Sequence, residues 1–337
     1  MQPAKPDLFS LGDLTLESGK VLEGAELAFL TRGRLNAARD NAVLFPTYYT
    51  GTHRQNLALI GPGRALDPAR YFVVIPNLFG NGESSSPSNH QTQAGASFPA
   101  VSLLDNVAAQ WRLLAHLGVE RLALAFGWSM GAQQAYHHAA LYPERVERLL
   151  AVCGSARTSP HNWVFLEGVK AALQADASFD AGRYGAPPLR GLAAFGTVYA
   201  GWVYSQAFFR ERLYERLGYA SPVALLEAWA DEHESYDAND LLCVLDGWQR
   251  ADISANPSYG GDLPRALSAI QARTIVMPCS TDLYFQVDDS RLEVQHLRRG
   301  ELRILDSKFG HFAGGPGRIA EDTAFIEAAL HELLAAQ

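Results

Sequence analysis

No stretch of this 337-residue chain approaches the roughly 20 consecutive apolar residues that a membrane-spanning helix requires. Cysteine is scarce. Cys153, Cys243 and Cys279 have neither the pairing of a disulfide framework nor the spacing of a zinc site. Cys153 and Cys279 lie in apolar runs and read as buried, inert thiols. No glycine-rich phosphate loop or metal signature occurs, so neither cofactor nor metal is expected. The first ten residues carry charge and proline where a secretory signal needs an apolar stretch, and a cytoplasmic location is the expectation. Positive charge is in the minority: the formal net charge is -8, which argues against nucleic acid or an anionic membrane as partner.

What is present is apolar. Hydrophobic residues make up 48% of the chain and charged residues 19%, enough to bury a sizeable core and to exclude disorder. Residues 8–35 alternate apolar and polar side chains around Glu17-Ser18-Gly19-Lys20 and Leu22-Glu23-Gly24, which predicts antiparallel strands joined by turns. Short, wholly apolar runs follow at 42–45, 71–75, 122–126 and 149–152, as strands buried on both faces of a parallel sheet require. Helical patterns at 103–117 and 130–141 separate the later runs. From 158 to 262 the strand rhythm stops, and helix-like stretches at 163–175, 201–217, 222–233 and 237–251 take over, broken by Gly185-Ala-Pro-Pro188. Strands return at 274–277 and 301–305, and a helix closes the chain at 318–334. The organisation expected is an α/β core (1–157 and 263–337) with a doubly wound, mostly parallel sheet, interrupted by a helical insertion at 158–262.

Gly127-Trp128-Ser129-Met130-Gly131 is a G-x-S-x-G sequence that follows an expected strand and opens an expected helix. That context is the one a nucleophile elbow requires. A serine on so tight a turn tolerates only small neighbours, and Gly127 and Gly131 remove the Cβ atoms that would collide. A serine hydroxyl needs a base, and the base needs an orienting acid. In this arrangement they follow in the order Ser, acid, His, each after a later strand. Asp282 follows the run 274–277 and His311 follows 301–305, with Asp288 and Asp289 as rival acids. His296 and His331 fit worse because both fall inside helical patterns. An oxyanion hole takes the N–H of Met130 and one N–H from the loop 45–52. The Gly80-Asn81-Gly82-Glu83-Ser84 turn reads as structural, the adjacent His137 and His138 as core or surface residues, and Asp231-Glu232-His233-Glu234 as an exposed acidic stretch.

These residues resemble the homoserine O-acetyltransferase-like branch of the α/β-hydrolases over nearly the whole chain. The similarity is carried by Phe98-Pro99-Ala100-Val101-Ser102 with Asp105, by the run from Trp128 through Ala135, by Tyr142-Pro143-Glu144-Arg145-Val146, by Thr281-Asp282-Leu283-Tyr284-Phe285 and by Gly310-His311. The resemblance implies that Tyr49 supplies the second oxyanion N–H. It also implies that Tyr48, Trp128, Gly196 and Phe312 belong to the substrate pocket, and that the insertion is a lid able to form a homodimer interface. It implies two departures as well. The family's acetyltransferases hold the homoserine carboxylate with a lid arginine and its amine with an aspartate after the catalytic histidine. Here those places fall at Gly196 and Phe312, so a zwitterionic acceptor has no partners there. Together with the aromatic insertion (Trp163, Trp202, Trp229, Trp248), this predicts an esterase acting on a small neutral ester. The alternative is an O-acyltransferase that takes acetyl-CoA as co-substrate and passes the acyl group to an alcohol.

Overall fold

A computed structural model describes residues 5–335. The alternating N-terminal segment forms β1 (Asp7–Thr15) and β2 (Val21–Arg32), antiparallel and joined by the turn at Glu17 to Lys20. The second expected turn is absent. Leu22 pairs with Leu14, and Gly24 lies inside β2 at φ 51°. Gly12 in β1, at φ 64°, sits where the pairing register slips twice. The two glycines take the left-handed backbone of bulges, which is why a glycine-marked dip in the pattern did not end the strand.

The apolar runs form β3 (Ala42–Leu44), β4 (Phe72–Pro76), β5 (Leu124–Trp128), β6 (Arg148–Val152), β7 (Arg273–Met277) and β8 (Gly300–Leu302). One sheet of order β1-β2-β4-β3-β5-β6-β7-β8 results. The β1–β2 and β2–β4 pairs are antiparallel and the remaining neighbours parallel. β8 is shorter than expected, but its line continues, since Leu305 N–H donates to the Pro278 carbonyl at 2.9 Å. That pairing carries the Asp282 and His311 loops to the same edge.

Successive residues of β3, Val43 and Leu44, enter two different apolar clusters, one on each face of the sheet. Helices Leu103–His116 and Met130–Leu141 pack in one, while the insertion and helix Ala320–Ala335 pack in the other. Asp105 has two duties. Its carboxylate completes a capping box with Ser102, which stabilises the helix start by about 1 kcal/mol, and it accepts from Glu17 N–H at 2.7 Å, pinning the β1–β2 turn.

Between β6 and β7 the longer elements are all helical: Pro160–Gln174, Leu189–Val203, Pro222–Glu234 and Ala238–Gln249. The single helix expected at 201–217 is not formed. The chain turns extended at Tyr204, Ser205 caps a new short helix (Gln206–Arg210), and a 3-10 turn follows (Leu213–Leu217). The break expected at Gly185–Pro188 is present, and Pro187 and Pro188 also mark the start of Leu189–Val203, since proline costs nothing where helical N–H groups are unpaired anyway. Among the described residues no helix is long and apolar enough to cross a membrane.

Candidate active site

β5 ends at Trp128 and the next helix begins at Met130, so Ser129 alone makes the reversal. Its backbone sits at φ 57°, ψ -128°, a conformation L-residues rarely adopt and one seldom kept without a reason. The surroundings enforce it. A Cβ on Gly127 would lie 2.1 Å from the Gly131 carbonyl carbon, and one on Gly131 would lie 2.9 Å from the Pro46 carbonyl oxygen. Gly154, which sequence reasoning passed over, closes the far side, since a Cβ there would meet Ser129 O at 2.8 Å. Its signal was available as a glycine two residues beyond the strand next to the elbow.

The structure brings the three expected side chains together. His311 Nε2 lies 3.0 Å from Ser129 Oγ, and His311 Nδ1 lies 2.7 Å from Asp282 Oδ2. A carboxylate only accepts, so Nδ1 carries the proton, and Nε2 is left to accept from the serine hydroxyl. The other Asp282 oxygen accepts from Tyr284 N–H at 2.7 Å and Phe285 N–H at 3.2 Å, which holds the carboxylate fixed. All three side chains are buried. Trp128 stacks on the imidazole at 4.9 Å and Tyr284 meets it edge-on at 4.8 Å, keeping bulk water from the ring. Of the rival acids, Asp288 pairs with the exposed Arg291, and Asp289 shares its helix, Val287–Val294, beyond the Asp282 loop. Neither reaches His311. His331 lies in the closing helix, as expected, but His296 lies in a turn after helix Val287–Val294 rather than inside a helix.

Thr281 joins the two loops. Its hydroxyl donates to the Ser307 carbonyl at 2.7 Å and accepts from Gly310 N–H at 3.2 Å. Gly310, at φ 68°, lies so close to the insertion that a Cβ would come within 2.5 Å of the Val203 carbonyl oxygen. Cys153 is buried, as expected, but its position was not foreseen: its sulfur is within 4.8 Å of the Asp282 carboxylate and a His311 nitrogen. Burial pushes its thiol pKa well up, so it stays neutral beside the pair.

A cavity of about 270 Å³ opens over Ser129 and His311. Tyr48, Tyr49, Trp128 and Phe312 line it, and from the insertion Tyr199, Tyr204 and Trp229 cover it. Gly196 does not belong to it. A Cβ there would lie 2.5 Å from the Trp229 carbonyl oxygen and 2.8 Å from the His233 ring, so this glycine is where helices Leu189–Val203 and Pro222–Glu234 touch. Arg318, stacked over Phe312 at 5.1 Å, was not foreseen as a lining residue, and Glu232, exposed as expected, stands with it at the mouth. His233, read as part of an exposed acidic stretch, is buried against Trp229, and burial lowers its pKa. An amphipathic period over 225–236 would have separated it from its exposed neighbours.

A single sheet with a serine elbow, an imidazole and a carboxylate at its strand ends defines an α/β enzyme of the serine-hydrolase kind. The family described as the alpha/beta hydrolase fold matches residues 60–313, and the chain belongs to it. An ethyl acetate hydrolase of Pseudomonas veronii is 39% identical over 334 residues, covering 97% of this chain and 95% of that one. The crystal structure of the acetyl esterase MekB superposes with a TM-score of 0.95 at 38% identity, covering 99% and 98% of the two chains. A homoserine O-acetyltransferase of Caulobacter vibrioides is 32% identical over 361 residues, covering 96% and 92%.

Proposed function

We propose that this protein is a carboxylic ester hydrolase that works through an acyl-enzyme at Ser129 on small neutral esters. The observation carrying this reading is the unbroken Ser129–His311–Asp282 chain at the floor of a cavity of about 270 Å³. Ser129 Oγ attacks the ester carbonyl as His311 Nε2 takes its proton, and Asp282 steadies the imidazolium that results. The N–H groups of Met130 and Tyr49 hold the oxyanion. Among the described residues neither donates to another acceptor, and the first sits at a helix N-terminus, where the backbone field favours negative charge. The alcohol departs with the proton from His311. Water then attacks the acyl-enzyme by the same path, and no step calls for a cofactor.

The relatives that are esterases support water as the acceptor, as does the cavity's lining. Phe312 puts a ring where a carboxylate would hold an amine, and Gly196 has no room for an arginine. The second reading, transfer of an acyl group from acetyl-CoA to an alcohol, rests on the homoserine O-acetyltransferase similarity, which also spans nearly the whole chain. Incubation with acetyl-CoA and a panel of p-nitrophenyl esters separates the two. Ester hydrolysis without acceptor-dependent CoA release supports the first reading, and the converse supports the second. The reading includes a cytoplasmic location, with no nucleic acid or membrane partner. It also includes a homodimer through the insertion, whose outer helices expose Trp163, Val164 and Val223. A monomer by light scattering would remove that last element.

A further inference from the structure

Beneath the elbow runs a line of buried polar side chains that the acyl-enzyme mechanism does not itself use. His138 Nε2 lies 2.7 Å from Gln110 Oε1, Gln110 Nε2 lies 2.7 Å from Gln134 Oε1, and Gln134 Nε2 lies 2.8 Å from the Thr47 carbonyl and 3.1 Å from the Met130 carbonyl. All three side chains are fully buried. Their direction is determined by their chemistry. An amide oxygen only accepts, so His138 donates from Nε2, Gln110 donates onward, and Gln134 spends both amide hydrogens on the two carbonyls. Burial lowers the His138 pKa to about 3, so the ring is neutral at the head of this line.

The two carbonyls at the other end belong to two separate segments of the site. Thr47 lies two residues before Tyr49, in the loop that crosses from β3 toward the cavity, and Met130 is the residue after the nucleophile. One side-chain amide therefore ties together the two backbone segments that carry the oxyanion donors. The segments touch directly as well, since a Cβ on Gly131 would meet the Pro46 and Thr47 carbonyl oxygens at 2.9 and 3.5 Å. On the other side, Asn56 Nδ2 donates to the carbonyls of Phe45 and Pro46 at 2.9 and 3.3 Å, and Leu78 N–H donates to Thr47 Oγ1 at 3.1 Å. Those bonds tie the loop to its own neighbourhood. The Gln134 bonds are the ones that tie it to the elbow.

We propose that Gln134 is a positioning residue that sets the spacing between the Tyr49 and Met130 N–H groups, with Gln110 and His138 holding its amide in the donating orientation. The proposal rests on the esterase reading above. An oxyanion hole acts because its donors are already in place when charge develops, and a displacement of about 1 Å can cost on the order of 100-fold in rate. Losing the Gln134 amide leaves both donors on the molecule but frees their separation. The loss therefore falls on the transition state and spares the bound substrate.

The test uses the whole chain, p-nitrophenyl acetate, and a trifluoromethyl ketone whose hemiketal adduct, formed as Ser129 Oγ adds to the carbonyl carbon and His311 takes the proton, places an oxyanion in the hole. In Gln134→Leu, kcat is expected to fall about 10- to 100-fold with KM within about 3-fold, and the ketone's inhibition constant is expected to rise by the same factor as kcat falls. Gln110→Leu should show the same pattern more weakly, and His138→Phe more weakly still. Leu114→Ala, a cavity in the helix Leu103–His116 away from the cavity over Ser129, serves as the stability control: its Tm should fall while kcat and ketone binding hold. Gln134→Glu keeps the shape if the leucine variant does not fold, and should lose rate in the same way because a carboxyl group, even when protonated, has one hydrogen at most to offer the two carbonyls. A folded Gln134 variant that loses Tm like Leu114→Ala but keeps kcat and ketone affinity within 3-fold overturns the proposal. Failure of the parent protein itself to hydrolyse the ester or bind the ketone at Ser129 is a different result, and it removes the esterase reading with everything built on it.

Discussion

The floor and the roof of the cavity are held by different forces. At the floor, each reacting residue is fixed by directional bonds from the backbone: Ser129 N–H donates to the Val152 carbonyl at 3.0 Å, Asp282 accepts two main-chain N–H groups, and Thr281 ties the Asp282 loop to the His311 loop. In the roof, the insertion's side chains are held mainly by ring packing. Tyr204 stacks on Phe208 at 4.2 Å, Phe195 on Tyr199 at 5.7 Å and Tyr199 on Trp229 at 5.9 Å. Ring contacts contribute about 0.5–1.5 kcal/mol each, and a packed apolar layer accepts volume-conserving exchange. A hydrogen-bonded floor does not, because each removed partner strands a buried polar group. Chemistry and specificity can thus change at different rates in this architecture.

Breaking the floor should give the largest effects. Ser129→Ala is expected to lower ester hydrolysis by about 10⁴- to 10⁶-fold with the fold intact, and to abolish labelling by a fluorophosphonate. Labelling that survives the substitution would place the nucleophile elsewhere. His311→Ala and Asp282→Ala should each be severe, yet the double variant should be about as slow as His311→Ala alone, because the pair acts as one device. Rates that multiply would show that Asp282 does not orient the histidine.

Changes in the roof should act on stability and choice of acceptor more than on the chemical step. Gly196→Arg meets a backbone carbonyl and should destabilise the chain by at least the 1–3 kcal/mol typical of overpacking, read as a lower midpoint in urea. A stable variant would mean that the two helices separate readily. Homoserine should be a very poor acceptor from acetyl-CoA. A specificity constant of about 10⁴ M⁻¹s⁻¹ or higher would show that Arg318 and Glu232 at the mouth replace the missing pair.

The smallest effect sharpens the comparison from a site outside both walls. Glu293 is buried beside Ala156 and Tyr136, and desolvation raises its pKa to about 8. A raised carboxyl pKa means that the folded state binds the proton more tightly than the unfolded one. Its contribution is therefore complete below about pH 4.5 and is lost as the pH rises toward 8. Glu293→Gln should flatten the fall in Tm over that interval, and parallel Tm–pH curves for the two proteins would refute the assignment.

The floor was readable residue by residue because its constraints are local. A glycine pair around a serine, a run of apolar residues before it, and an acid and a histidine each just past a later run all reflect contacts within a few positions of the chain. The parts that Thr281 and Gly154 play were not foreseen although they are nearly as local, because a hydroxyl or a missing Cβ carries no signature until its neighbour is known. The insertion was read less well. The expectation of one helix over 201–217 failed at Ser205, whose hydroxyl caps a new helix only because the chain there turns back toward the Lys308 carbonyl.

By itself, then, the sequence determined the run of strands, the elbow and the three side chains that meet there, since strand burial, backbone strain and acid–base chemistry restrict the residue types at each of those places. Only the tertiary structure decided that Gly196 is a helix contact and not a pocket wall, that Arg318 and Glu232 stand at the mouth, and that Gln134 joins the loop at Thr47 to the helix at Met130. Those depend on which segments meet although distant along the chain, from Gly196 against Trp229 to Thr47 against Gln134. A one-dimensional pattern records the polarity of each residue, but not the partner against which that polarity is satisfied.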